Sequence, residues 1–185
     1  DTLGCVIDAV GSLRIAIEAR LCTQQSGSRL RVVGGNLVTA KPIGVVDGVD
    51  FHHTGEVRRI DRKAITRHLD DDDIVLLSSL GYSPTGEAFN LAAEDVATSV
   101  AVALGADKLI LFGEDTGIRD ERGELLRELK QTSAAPLLAK LGTSQAGCLL
   151  QAACKACNAG LRRSHIVSFA EDGALLTELF TRDGG

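Results

Sequence analysis

Apolar residues Leu3, Val6, Val10, Leu13, Ile17 and Leu21 recur every three or four positions and predict an amphipathic helix of about five turns. The polar loop Thr23 to Ser28 follows. Leu30 to Ala40 then alternates around Gly34-Gly35, as two short strands joined at a glycine turn would, and Pro42 closes the run. Gly44 to Gly55 is rich in glycine and aspartate, and Val57 to Ile60 reads as a brief strand. Arg62 to Asp70 forms a short helix with Asp61 placed as its N-cap.

Ile74-Val-Leu-Leu77 is an apolar run too short for a helix and reads as a buried strand. A helix is predicted over 92–104, a buried strand over 108–112, and a loop over 113–123. Two helices over 134–141 and 147–159 come next, the second stopped at its C-terminal cap by Gly160. His165 to Phe169 is a strand, and Ala174 to Phe180 a last helix. Buried strands alternating with helices specify an α/β layer fold around a mainly parallel sheet. No internal repeat or linker interrupts it.

Composition narrows the function classes. The 185 residues are 44% hydrophobic and 24% charged, which is ordinary for a folded globular domain. A net charge of -5 offers no basic footprint for nucleic acid or an anionic membrane, and 3% aromatics leave no base-stacking platform. Leu3 to Gln24 is interrupted by Asp8, Arg14, Glu18 and Arg20, so it is neither a signal peptide core nor a membrane span. The chain opens Asp1-Thr2-Leu3 and has no methionine, so it reads as a piece of a larger protein. The five cysteines follow no disulfide framework. Cys154 and Cys157, formally C-x-x-C, read as small buried helix residues, and reduced thiols imply a cytoplasmic setting.

Several polar clusters read as plain structure. Gly81-Tyr-Ser-Pro-Thr-Gly86 lacks the ending of a P-loop and the serine of a nucleophile elbow, and is a turn. His52-His53 beside Asp47 and Asp50 has no metal-ligand spacing and reads as a solvated loop, so no metal is expected. Asp70 to Asp73, four acids at a helix end, reads as a solvated surface turn. Two stretches combine strand or helix ends with glycines and single charges, as a small-ligand crevice does: Asn90 to Gly123, and Asp172 to Gly184.

Those stretches carry a resemblance. Asn90 to Gly123 resembles the amino-acid kinase family, as found in acetylglutamate kinases. Gly44 to Asp61 and Glu171 to Gly184 resemble the bacterial N-acetylglutamate synthase (amino-acid N-acetyltransferase) family within it. The resemblance covers essentially the whole chain. It implies a three-layer α/β sandwich around a mainly parallel sheet, acetylglutamate kinase-like. It also implies a domain that senses L-arginine, joined to an acetyltransferase domain that moves acetyl from acetyl-CoA to L-glutamate at the start of arginine biosynthesis. Residues 1–185 match only the later part of the kinase-like domain. They lack its N-terminal strands and the acetyltransferase domain, and so carry no catalytic site or cofactor of their own. A homo-oligomer is implied as well.

The resemblance also assigns residues. An aspartate that orders phosphate-binding lysines, four positions after the asparagine matching Asn90, is Glu94 here, and a second phosphate-neutralising lysine is replaced by Gln151. An uncharged amide cannot offset charge developing on a transferring phosphoryl group, so these are expected to be vestigial kinase positions. Arginine-sensitive members carry a lysine matching Lys108 and a histidine matching His165, then a glutamate thirteen residues on (Glu178) and a glycine six further (Gly184). A carboxylate such as Glu178 accepts paired N–H donors of a guanidinium, while Lys108 and backbone N–H groups near Gly184 suit the ligand carboxylate. Ser168 is close enough in sequence to add a hydroxyl. An active acetylglutamate kinase and a non-catalytic oligomerisation module are the alternative readings.

Overall fold

The computed structural model describes residues 2–22, 30–115, 117–120 and 122–180. The loop predicted over 23–28 and Gly184 lie outside the described residues. The chain divides into two compact units, Asp1–Val96 and Ala97–Gly185.

The first unit opens with helix α1 (Thr2–Leu21). Leu3, Val6, Val10, Ile17 and Leu21 of its predicted stripe are half-buried, whereas Leu13 is 62% exposed. Strand β1 (Val32–Val33) pairs in parallel with β6 (Ile74–Val75). Strand β2 (Val38–Pro42) pairs antiparallel with β5 (Gly55–Ile60) and in parallel with β7 (Leu80–Tyr82), which is antiparallel to β8 (Ala88–Asn90). The two strands flanking Gly34-Gly35 therefore do not pair with each other but enter separate sheets. The Gly34 turn is tight for a different reason: a Cβ there would lie 2.7 Å from the Leu76 carbonyl oxygen. Helix α2 (Arg62–Asp70) starts where expected, with the Asp61 carboxylate accepting from Ala64 N at 3.1 Å and Ile65 buried beneath it.

Between β2 and β5 the glycine- and aspartate-rich stretch folds into a small hairpin, β3 (Val45–Val46) and β4 (Val49–Asp50). Its tip, Asp47-Gly48, holds φ of 49° and 79°, the left-handed pair that lets a two-residue turn follow strand twist.

Helix α3 (Ala93–Leu104) spans the boundary between the units. In the second unit β9 (Leu109–Gly113) and β10 (Ser164–Ser168) form a parallel pair over five residues each. Helices α4 (Ala134–Leu141) and α5 (Gln145–Asn158) supply the crossover that parallel strands require. Ser144 caps α5 by accepting from Gly147 N at 3.2 Å, and Gly160 ends it with φ 105° one residue beyond the cap residue Ala159. The core is Ala101, Leu109, Leu111, Leu149, Ala152, Ala153, Ala156 and Leu161. Its small side chains on α5 let helix and strands approach closely. Cys154 and Cys157 are only half-buried on α5, not core residues as expected, because the alanines of that helix face the strands. Helix α6 (Ala174–Phe180) closes the described chain. Among the described residues, no helix is long and apolar enough to cross a membrane.

Candidate functional site

Helix α6 reverses the usual preference. It buries its one acid, Glu178, at 2% exposure and leaves Leu176, Leu179 and Phe180 at 61%, 48% and 81%. Burying a leucine is favourable by roughly 1.5–3 kcal/mol, whereas a buried carboxylate is costly unless paired. Something other than core formation holds Glu178 inward.

Its partners come from the parallel pair. His165 lies opposite Ile110 across β9 and β10. Strand alternation sets Lys108 on the same face as Ile110, so Lys108 and His165 share the face that α6 covers. His165 Nδ1 lies 2.7 Å from Glu178 Oε1. Lys108 Nζ is 3.5 Å from the same oxygen and donates at 3.0 Å to the Glu178 carbonyl near the end of α6. One ammonium thus contacts the side chain and the main chain of a single residue.

The contact is an ion pair only when the imidazole is protonated; a neutral ring would meet the carboxylate through an Nδ1–H. Burial pushes the His165 imidazole below its ordinary range. Glu178 opposes that shift, and Lys108 and Arg163 add to it. Among the described residues, His165 Nε2 and Glu178 Oε2 are buried with no hydrogen-bond partner. Unpaired buried polar atoms are uncommon and ask for an explanation, of which an absent ligand is one.

Ser168 stands apart from this group. Its hydroxyl donates to the Glu114 carbonyl at 3.1 Å and accepts from Ala170 N at 3.1 Å, three residues along β10 from His165 and on the opposite face. At the same end of the strands, Gly113, Asp115, Gln145, Ala146, Leu149 and Ile166 line a shallow, solvent-open hollow. Gln145 Oε1 accepts from Glu114 N at 3.0 Å at its rim. Asn90 sits on β8 and Glu94 in the first turn of α3, both in the first unit, while Gln151 is exposed on α5 in the second.

The remaining clusters are structural. Ser83, Thr85 and Glu87 tie the β7–β8 turn together, with Thr85 Oγ1 donating to Glu87 Oε2 at 2.9 Å, as the turn reading expects. His52 is exposed; its backbone N–H donates to Asp50 Oδ1 at 2.9 Å and its ring Nδ1 lies 3.3 Å from Asp50 Oδ2. The acidic run departs from its solvated reading at Asp73, whose side chain is 2% exposed and accepts from Arg31 and, at 3.0 Å, faces His68 Nδ1. The sequence signal for that trio is the basic residue that immediately precedes β1. The Val32–Ile74 register brings Arg31 beside Asp73.

The amino acid kinase family model matches residues 8–168. The chain belongs to the amino-acid kinase family. Among its relatives, the amino-acid acetyltransferase of Pseudomonas putida is 66% identical over 189 residues, covering 100% of this chain and 44% of that protein. Two structures of N-acetylglutamate synthase from Neisseria gonorrhoeae share its fold. One, complexed with coenzyme A and L-arginine, has TM-score 0.91 and 38% identity over 98% of this chain and 44% of its own. The other, complexed with coenzyme A and N-acetyl-glutamate, has TM-score 0.90 and 39% identity over 98% of this chain and 42% of its own. The α/β class and the acetylglutamate kinase-like fold expected from the sequence are thus those of the family. The chain spans less than half the length of these relatives.

Proposed function

We propose that this chain is the arginine-binding regulatory part of a cytoplasmic N-acetylglutamate synthase. The longer enzyme transfers acetyl from acetyl-CoA to L-glutamate in the first step of arginine biosynthesis. Residues 1–185 serve it as a partial kinase-like domain without catalytic residues of its own. The observation that carries this reading is the buried Glu178 carboxylate, held by Lys108 and His165 with Oε2 left over, on a helix whose leucines face outward. A guanidinium is a permanent planar cation with paired donors, the complement of a dry carboxylate. Lys108 supplies the charge for the ligand carboxylate and Gly184 completes the assignment made from the sequence, whereas Ser168 faces away from it and spends its hydroxyl on the Glu114 carbonyl. The L-arginine bound in the gonococcal synthase supports the same ligand class.

Arginine then acts allosterically, favouring one arrangement of a homo-oligomer and so changing the acetyl-transfer site of the neighbouring domain. Phosphoryl transfer is not part of the function. Gln151 offers no positive charge to a transferring phosphoryl group, and Glu94 stands where an aspartate is needed.

Calorimetric titration of the chain with L-arginine tests the reading. Saturable binding is expected, weakened at least tenfold by Glu178→Gln. That amide keeps the shape but loses the charge that a guanidinium requires. No heat from the unsubstituted protein, or equal affinity in the variant, refutes it.

A further inference from the structure

Helix α5 carries a pair of thiols that neither the core nor the arginine reading uses. Cys154 and Cys157 lie three positions apart near its C-terminal end, both free and half-buried, at the margin of the face that buries Ala152, Ala153 and Ala156. Residues at this spacing are neighbours on a helix, with Cβ atoms about 5–6 Å apart. Each thiol swings about a single bond, so both sulfurs reach the space between them. The two groups already sense each other: burial pushes the Cys154 thiol above its ordinary range, and the charge of a Cys157 thiolate adds to the shift. The Cys157 thiol donates to Ser164 Oγ at 3.5 Å, at the start of β10.

The spacing decides what joins them. A disulfide needs Cβ atoms about 3.5–4.5 Å apart, so it forms here only if the last turn of α5 distorts. That turn is well closed: Ala159 N donates to the Lys155 carbonyl at 3.1 Å, Gly160 N to that of Cys157 at 3.0 Å and Leu161 N to that of Ala156 at 3.2 Å. Among the described residues, no group of three or more histidine, cysteine or acidic side chains is placed to hold a metal ion. An atom inserted between the sulfurs lengthens the bridge and leaves the helix as it stands. It must be soft, to favour sulfur over oxygen, and content with two protein ligands.

We propose that Cys154 and Cys157 form a dithiol site for trivalent organoarsenicals, bridged by one arsenic atom without unwinding of α5. Arsenic(III) is soft and pyramidal, and two sulfurs and the organic group complete its three bonds. The step is a condensation with no change of oxidation state. With an arsine oxide, R–As=O, two As–S bonds form while the As=O bond and both S–H bonds break, and the two protons leave with the oxygen as one water. The pair holds the atom against monothiols because release of one sulfur leaves the other to keep arsenic within reach. The site is independent of the arginine reading.

Phenylarsine oxide added to the chain, with excess glutathione as monothiol competitor, tests this. Cys5, Cys22 and Cys148 are exposed and are replaced by serine so that the pair alone reports. One phenylarsenic group per chain should survive glutathione, leave on addition of a small vicinal dithiol such as dimercaptopropanol, and be held on the order of a hundredfold more tightly than after Cys154→Ser or Cys157→Ser. Trypsin cuts after Lys155, between the two cysteines, so peptides 141–155 and 156–162 should stay joined through arsenic in mass spectra. The unsubstituted chain should give the same joined peptides, and far-UV circular dichroism should be unchanged by the reagent. An adduct stripped by glutathione, equal resistance in either single-cysteine variant, joined peptides that lack arsenic, or loss of helix on bridging overturns the proposal.

Discussion

Asp73 shows how much one carboxylate changes when its surroundings are known. Next to three other acids it looks solvated, yet Arg31 and His68 close over it. The Arg31 hydrogen bond holds its carboxyl below the usual range against the opposing effect of burial, with His68 assisting. The unfolded chain therefore takes up a proton at Asp73 more readily than the folded one. The stabilisation from this group is present above the ordinary aspartate pKa of about 3.9 and is lost as pH falls through the lower folded value. Asp73→Asn should be less stable than the parent at pH 7 and lose less further stability on acidification to pH 3, as read by urea midpoints. Parallel loss in the two proteins excludes the assignment. Arg31 and Asp73 are 42 positions apart, and only the parallel register of β1 and β6 joins them. His165 and Glu178, thirteen apart, were legible through a family spacing, but not their direct contact.

At the scale of elements, helices were legible in the sequence because each states its own period and ends. Helix α6 has the predicted bounds, and α2 the predicted cap. The two-residue strands β1, β3, β4 and β6 were harder, since so short a strand exists only through its partner. The β3–β4 hairpin had a readable signal in Asp47-Gly48 between valines, hidden by the polar character of its surroundings.

Gly147 tests the difference between local preference and packing. Three positions into α5, alanine is favoured over glycine by about 1 kcal/mol on helix propensity alone. Its Cβ, however, would press on the carbonyl of Gly142, the residue that caps α4 at φ 53°, and only three residues separate the helices. Overpacking typically costs about 1–3 kcal/mol, and backbone yields less than a side chain. Gly147→Ala should therefore destabilise the protein by roughly 1 kcal/mol or more in urea unfolding; a neutral or stabilising result means the two helices can move apart freely.

At the scale of the whole molecule, the two units divide the candidate chemistry. Lys108, His165 and Glu178 all lie in Ala97–Gly185, whereas Asn90 and Glu94 lie in Asp1–Val96. The proposed arginine site at Glu178 draws on β9, β10 and α6 of the second unit. With L-arginine at about 100 times its dissociation constant, the folded state gains about 2.7 kcal/mol by mass action. Hydrogen exchange by mass spectrometry should show protection concentrated over 109–113, 164–168 and 174–180 and smaller over 38–60. Protection of equal size in the first unit places the ligand elsewhere.

The sequence by itself determined the α/β class, the helices and their caps, and the family spacing of Lys108, His165 and Glu178. These are properties of periodicity, charge and short-range geometry, which a chain carries without folding. The tertiary structure decided which face of α6 turns inward, that Lys108 and His165 converge on one oxygen of Glu178, that Ser168 spends its hydroxyl on the Glu114 carbonyl, and that Asp73 is buried. Each of these depends on strand register or helix rotation, set by contacts between residues far apart in the chain.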